Sequence, residues 1–185
     1  TKFEYVVPNF NQCKGCHVNQ NRMIPIGPKA RLLNHDFVYK DGKANQLKKW
    51  TSLDMIKDLP DLTTLPHTSN YDDPIDGSID ERARAWIDIN CAHCHRLGAP
   101  GETSGLFLNI EETDPTKLGV YKPPIAAGLG AGKFKHTIVP GMPEESIMIY
   151  RMESTDPGIM MPELGRKLVH KEGVALVRKW IKAMK

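Results

Sequence analysis

An all-α fold in two small, loop-rich domains, the first of them truncated, is what this sequence predicts. Three observations lead there. The pattern CxxCH occurs twice, as Cys13-Lys14-Gly15-Cys16-His17 and as Cys91-Ala92-His93-Cys94-His95. Apolar residues recur at helical spacing before the second copy and at the C-terminus. With 15 Gly and 14 Pro in 185 residues, much of the rest is loop.

CxxCH is the attachment pattern for a c-type haem. The two thiols add across the haem vinyl groups to form thioethers, and the histidine after the second thiol reaches the iron as an axial ligand. A chain of this composition meets the pattern by chance roughly 0.003 times. Two copies that consume all four cysteines therefore predict two covalently bound haem c groups. They sit on Cys13 and Cys16 with His17 as ligand, and on Cys91 and Cys94 with His95 as ligand. Other uses of the cysteines fit less well. A disulfide framework belongs to short secreted domains, and local Cys pairing leaves both histidines unexplained. A structural zinc site can use C-x2-C halves, but here the halves lie much further apart than in a finger.

Composition agrees with haem-filled domains. A 185-residue chain makes one or two small domains, each with little apolar surface to bury by itself. Aromatics are only 7%, and a haem plate substitutes for them. The formal charge of +3 drops to about +1 once each ferric haem brings its propionates. No basic stripe remains to suggest nucleic-acid binding. No apolar run is long enough for a transmembrane helix. Haem attachment follows export, which places the protein in a periplasm or outside the cell. The chain starts at Thr1 without an initiator Met, as expected of a processed or trimmed form of a longer precursor.

The first domain is expected over residues 1–77. Glu4 to Val7 reads as extended, and Pro8 and Asn9 discourage a long helix before Cys13. A helix with a mediocre apolar stripe is expected from Asn45 to Leu59. Pro60 to Gly77 is turn-rich and reads as a linker. The second domain, 78–185, opens on Ser78-Ile79-Asp80-Glu81, a capping box. The helix that follows carries Ile79, Ala83, Trp86 and Ile87 on one face and runs into Cys91. After His95 comes a Gly/Pro-rich loop. A short helix is expected from Pro143 to Met152, with Pro143 in its first turn. The last segment, Glu172 to Met184, sets Val174, Val177, Trp180 and Ile181 along one face of an amphipathic helix.

This order in the second half resembles class I cytochrome c, in which the first and last helices cross and a methionine before the last helix is the distal iron ligand. The matching position is Met161, in Met160-Met161-Pro162-Glu163. Thioether ligation favours Fe(II) and raises the potential. Core filling is the plainer use of methionine, and Met160 and Met142 are the other candidates. In the first half, the run Ile24 to Lys29 resembles the Gly-Pro turn that follows the haem motif in that family.

Nearly the whole chain also resembles the C-terminal part of an uncharacterised family of bacterial di-haem c-type cytochromes. The resemblance is carried by Asn11 to His17, Pro25 to Arg31, Asn45-Gln46-Leu47 and Arg82 to His95. It continues in Lys122 to Gly128 and Met161 to Arg166. It implies a region upstream of residue 1 and no established reaction.

The first haem has no Met-Pro strap. Met23, His35, Met55 and His67 are candidates for its distal ligand, His170 could reach it from the second half, and an open sixth position is the alternative. Two functions follow. One is an electron carrier that docks transiently with donor and acceptor redox proteins. The other is a di-haem enzyme of peroxidase type, or a sensor, with an open first haem and His35 or His67 as acid/base. The absence of a recognisable catalytic set favours the carrier. Arg82, Arg84 and Arg151 are possible propionate partners, and Lys29 and His93 are expected at the surface.

Overall fold

The computed structural model describes residues 2–125 and 127–185; Ala126, within the Lys122–Gly128 segment singled out above, lies outside them, as does Thr1. In chain order the elements are α1 (Phe10–His17), β1 (Val18–Asn19), β2 (Arg22–Met23), α2 (Ala30–Leu33), β3 (Asp36–Tyr39), β4 (Gly42–Asn45) and α3 (Gln46–Ser52), followed by α4 (Ile79–Asn90), α5 (Pro115–Leu118), α6 (Ile147–Glu153) and α7 (Lys171–Ala183). Short 3-10 turns lie at Leu62–Thr64, Pro100–Ser104, Gly128–Ala131 and Pro143–Glu145.

The all-α expectation is overturned. Helix makes up 38% and strand 9% of the chain, and the strands form two separate antiparallel hairpins, β1-β2 and β3-β4. Turn chemistry is the cause. Gln20 and Asn21 both take positive φ (47° and 61°) between the paired residues Asn19 and Arg22, the two-residue turn whose twist suits a hairpin. In the second hairpin Tyr39 pairs with Gly42 across Lys40-Asp41, and Gly42 sits at φ 129°. β-formers precede that turn: Phe37 packs edge-on to Tyr39 at 5.0 Å, and Lys49 lies over the Tyr39 ring.

Between the hairpins and α4 the helices are shorter than the sequence suggested. The expected Asn45–Leu59 helix stops at Ser52, with Asn45 capping the backbone N–H groups of Leu47 and Lys48. Asp54 and Asp58 follow at positive φ, which helices do not tolerate.

The second half matches its expected elements, except that the Pro143–Met152 helix is divided at the extended Ser146 into a 3-10 turn, Pro143–Glu145, and α6. Ser78 caps α4, accepting from Glu81 N while Glu81 reaches back to Ser78 N, so the capping box closes. The core is the crossing of α4 and α7: Trp86 and Ile87 meet Val174, Val177, Trp180 and Ile181, with Leu108, Ile138 and Ile149 filling in. Each such aliphatic side chain, fully buried, stabilises by about 1.5–3 kcal/mol. Two indole donors pin the crossing. Trp180 Nε1 donates to Asp80 Oδ1 at 2.6 Å, and Trp86 Nε1 donates to His170 Nδ1 at 3.1 Å. The His170 ring lies nearly parallel to Trp86, with centroids 5.8 Å apart, and its Nδ1 also accepts from Gly173 N as the cap of α7. Its Nδ1 is thus committed to the helix start. A side chain at Gly173 would put a Cβ 2.3 Å from Trp86 Cε2, so glycine is what lets the helices approach.

The two halves are latched through α4. Asp88 is buried, and its carboxylate accepts from Lys29 Nζ at 3.0 Å, Arg31 Nη2 at 2.8 Å and Ile110 N at 3.1 Å. Lys29, expected in solvent, is an ion-pair partner instead. Among the described residues no helix is long and apolar enough to cross a membrane.

Candidate functional site

The second CxxCH grows directly out of α4. Cys91 N donates to Ile87 O at 2.8 Å, and His95 N donates to Cys91 O at 2.9 Å, so the motif continues the helix as a tight turn. The following loop folds back on the histidine. Gly101 N donates to Cys94 O, and a Cβ there would lie 2.8 Å from that oxygen and 3.0 Å from His95 Nδ1. Glycine is required for the approach.

Three atoms then fix the His95 tautomer. The Ser104 hydroxyl lies 2.6 Å from Gly101 O, a pure acceptor, so its proton points there. His95 Nδ1, 3.1 Å from the same hydroxyl oxygen, must therefore donate to it. Nδ1 carries the ring proton, and Nε2 keeps its lone pair. Burial, reinforced by the Arg151 charge, pushes the His95 pKa down to about 4, so the ring is neutral. A neutral imidazole oriented through its other nitrogen is the arrangement of a metal-ligating histidine.

His17 is held the same way by a different element. Its Nδ1 lies 3.0 Å from Ile24 O across the β1-β2 hairpin. A carbonyl only accepts, so again Nδ1 donates and Nε2 is left free. Asn9 and Gln12 close a capping box at the start of α1, which seats the motif on one helical turn.

A cavity of about 420 Å³ opens in front of the second motif, lined by Cys91, Cys94, His95, Met161 and the apolar faces of Trp86 and Leu108. Met161 lines it, whereas Met160, though buried, does not. Met142 is half-exposed in a turn before the Pro143–Glu145 segment. The strap is held by two arginines. Met161 N donates to Arg151 O, Arg151 Nε donates to Ile159 O at 2.8 Å, and Arg166 Nη2 donates to Arg151 O and Ser154 O. Arg151 also lines the cavity. Arg82 and Arg84 serve the fold: Arg82 donates to Tyr71 O, and Arg84 to the carbonyls of Asn109 and Glu112.

The first motif closes one side of the same cavity. Gly15 and Cys16 line it, and the Cys94 thiol lies 3.0 Å from Gly15 O. The loops interlock further through Gln20 N to Gly98 O at 3.1 Å and Arg96 Nη1 to Asn19 Oδ1 at 2.7 Å. His93, expected at the surface, is half-buried between the motifs, within 4.8 Å of the Cys16 and Cys94 sulfurs. Hydrogen bonding from Cys94 and His93 pulls the Cys16 thiol well below the usual range, while Cys94 is pushed up by the same pairing with Cys16 and by burial. Burial, reinforced by the Asp88 charge, raises Cys91 to about 12.

The candidates for the first distal position are scattered. Met55 and Met23 are exposed, Met23 paired with Val18 just after His17. His35 and His67 are brought together, with His67 Nε2 3.1 Å from His35 Nδ1. Sequence reading missed Ser104, Gly101 and Asp88. Only Asp88 left a signal, as an acid inside the largely apolar run Ala85 to Ile89.

No family model matches this chain, and no curated protein or solved structure matches it either.

Proposed function

We propose that this chain is a di-haem c-type cytochrome that passes single electrons between redox partner proteins outside the cytoplasm. The observation that carries the reading is the matched state of His17 and His95: in both, Nδ1 is tied down as a donor and Nε2 is presented as a lone pair, each beside two thiols in CxxCH spacing. A zinc or disulfide use of the cysteines gives no reason for both histidines to be prepared in this way.

The residues present fit the group. Cys91, Cys94 and His95 stand on one wall of an apolar cavity, and Met161 on the strap shares it. Around the first motif, Phe3, Tyr5, Val6, Val7, Phe10 and Ile26 are all exposed, an apolar surface suited to packing on a flat hydrophobic plate. When bound, each haem supplies a one-electron Fe(III)/Fe(II) couple. The chain's own work is to fix the ligand tautomers, keep water from the second site and hold the Met161 sulfur on its strap. Nucleic acid has no place in this reading. Export to a periplasm or beyond follows from the covalent chemistry.

The experiment is an absorption and EPR spectrum of the oxidised protein. Two low-spin irons, with a sulfur-to-iron charge-transfer band that disappears in Met161→Ala, are expected. A high-spin iron that shifts on adding cyanide or peroxide overturns the carrier in favour of an enzyme or sensor with an open first haem. A band that survives Met161→Ala overturns the ligand assignment.

A further inference from the structure

Away from both CxxCH motifs, three side chains from three different segments converge: His35 between α2 and β3, His67 in the extended segment after Leu62–Thr64, and Asp76 just before α4. His35 Nδ1 and His67 Nε2 are 3.1 Å apart, and Asp76 Oδ2 is 3.9 Å from each. We propose that His35, His67 and Asp76 form a binding site for one divalent first-row transition-metal ion of the zinc type, with water completing its coordination. This assignment is independent of the haem reading.

The first argument is the size of the triangle. For sides of 3.1, 3.9 and 3.9 Å, the point equidistant from all three atoms lies about 2.1 Å from each, which is the zinc–nitrogen and zinc–oxygen bond length. At 3.9 Å the carboxylate lies beyond direct hydrogen-bonding distance of either ring, which leaves room for an ion among the three atoms. Two imidazoles and one carboxylate with open positions is a ligand set that first-row divalent ions favour over calcium or magnesium.

The second argument is orientation. His35 Nε2 lies 2.6 Å from Thr68 O. That carbonyl accepts only, so Nε2 carries the proton and the Nδ1 lone pair faces the triangle. A ligand histidine anchored through its far nitrogen to a backbone carbonyl is the usual outer-sphere support of a metal site. Asp76 is fixed as well, its Oδ2 accepting from Asn70 N at 2.6 Å. His67 then needs only the Nδ1–H tautomer to turn its Nε2 lone pair inward.

The third argument is what the site joins. The segment carrying His67 is docked on the α2 end by Thr68 N to Arg31 O and by Asn34 Nδ2 to the carbonyls of Leu62 and Leu65. An ion shared by residues 35, 67 and 76 clamps the turn-rich stretch between the halves at both its middle and its end. Binding to the folded chain raises its stability by mass action.

The test is zinc binding to the full chain with its thiols occupied by haem or, where free, alkylated with iodoacetamide, after removal of metal with EDTA. Titration calorimetry and metal counting by mass spectrometry should give one Zn²⁺ per chain and a rise in Tm on zinc addition. His67→Ala, at a half-exposed position, and Asp76→Asn, which retains an oxygen for Asn70 N, should each weaken binding at least tenfold and lose the Tm rise, with circular dichroism unchanged. No stoichiometric zinc in the parent chain, or undiminished zinc affinity in both variants, overturns the site.

Discussion

The Cys94 thiol lies 3.0 Å from the carbonyl oxygen of Gly15, so the two CxxCH motifs touch although 78 positions separate them in sequence. The Cys16 and Cys94 sulfurs fall within 4.8 Å of one another. In the haem-free chain, diamide should therefore take the two thiol hydrogens from Cys16 and Cys94 and leave a disulfide between the motifs. Peptide mapping by mass spectrometry identifies it. If only the local pairs Cys13–Cys16 and Cys91–Cys94 form, the motifs are not in contact in solution.

Asp88 is the second point at which the halves depend on each other. Its buried carboxylate is opposed by Lys29, 35% exposed along its side chain, and Arg31, 17% exposed. Removing the charge leaves the partly buried Arg31 guanidinium with only the exposed Glu111 carboxylate, 3.5 Å away, as counter-charge, and breaking a buried pair from one side costs about 3 kcal/mol. Asp88→Asn should lower urea stability by that order and make the segment from Gln20 to Arg31 an early site of limited proteolysis. An unchanged denaturation midpoint means the latch does not hold the halves together.

Gly173 decides between two opposed effects. Glycine to alanine inside a helix ordinarily stabilises by about 1 kcal/mol. Here the new Cβ falls 2.3 Å from Trp86 and 2.5 Å from His170 Nδ1, so the helices must separate, which costs about 1–3 kcal/mol or more. Gly173→Ala should lower Tm and disturb Trp86 fluorescence. A raised Tm would show that α7 does not approach Trp86 this closely.

The second half was legible because each of its signals is local: a capping box, a 3.6-residue apolar period, and a Met-Pro strap. The first half was not. Lys40-Asp41-Gly42 is a hairpin signal in its own right, and Asp36 to Asn45 reads as β once the turn is weighed above composition. Gln20-Asn21 gives a weaker cue, because only its positive φ values make it a hairpin turn. The tautomers of His17 and His95 depend on Ile24 O and Ser104, whose roles come from chain reversal and leave no pattern in the sequence. His35, His67 and Asp76 are spread over 42 positions, and nothing but folding brings them together.

His95 also makes a pH dependence. Its folded pKa is near 4 because burial disfavours the charged ring, whereas in the unfolded chain a histidine titrates near 6.5. Below about pH 6.5 the unfolded state takes up a proton that the folded state refuses. Stability in the haem-free chain is thus complete above that pH, falls as pH drops toward 4, and levels off below. Linkage limits this contribution to at most about 3 kcal/mol, and the remaining solvent access of the ring reduces it. Urea melts of the haem-free chain at pH 7, 5.5 and 4.5 should show the decline, and His95→Gln should flatten it while leaving the carboxylate contribution in place. Under the proposed haem ligation Nε2 would be held by iron and the ring would not titrate, so a haem-loaded chain should lack this part of the slope. An equal slope in the parent and in His95→Gln would show that His95 is solvated, and with it that the loop from Gly101 to Ser104 does not close over the ring.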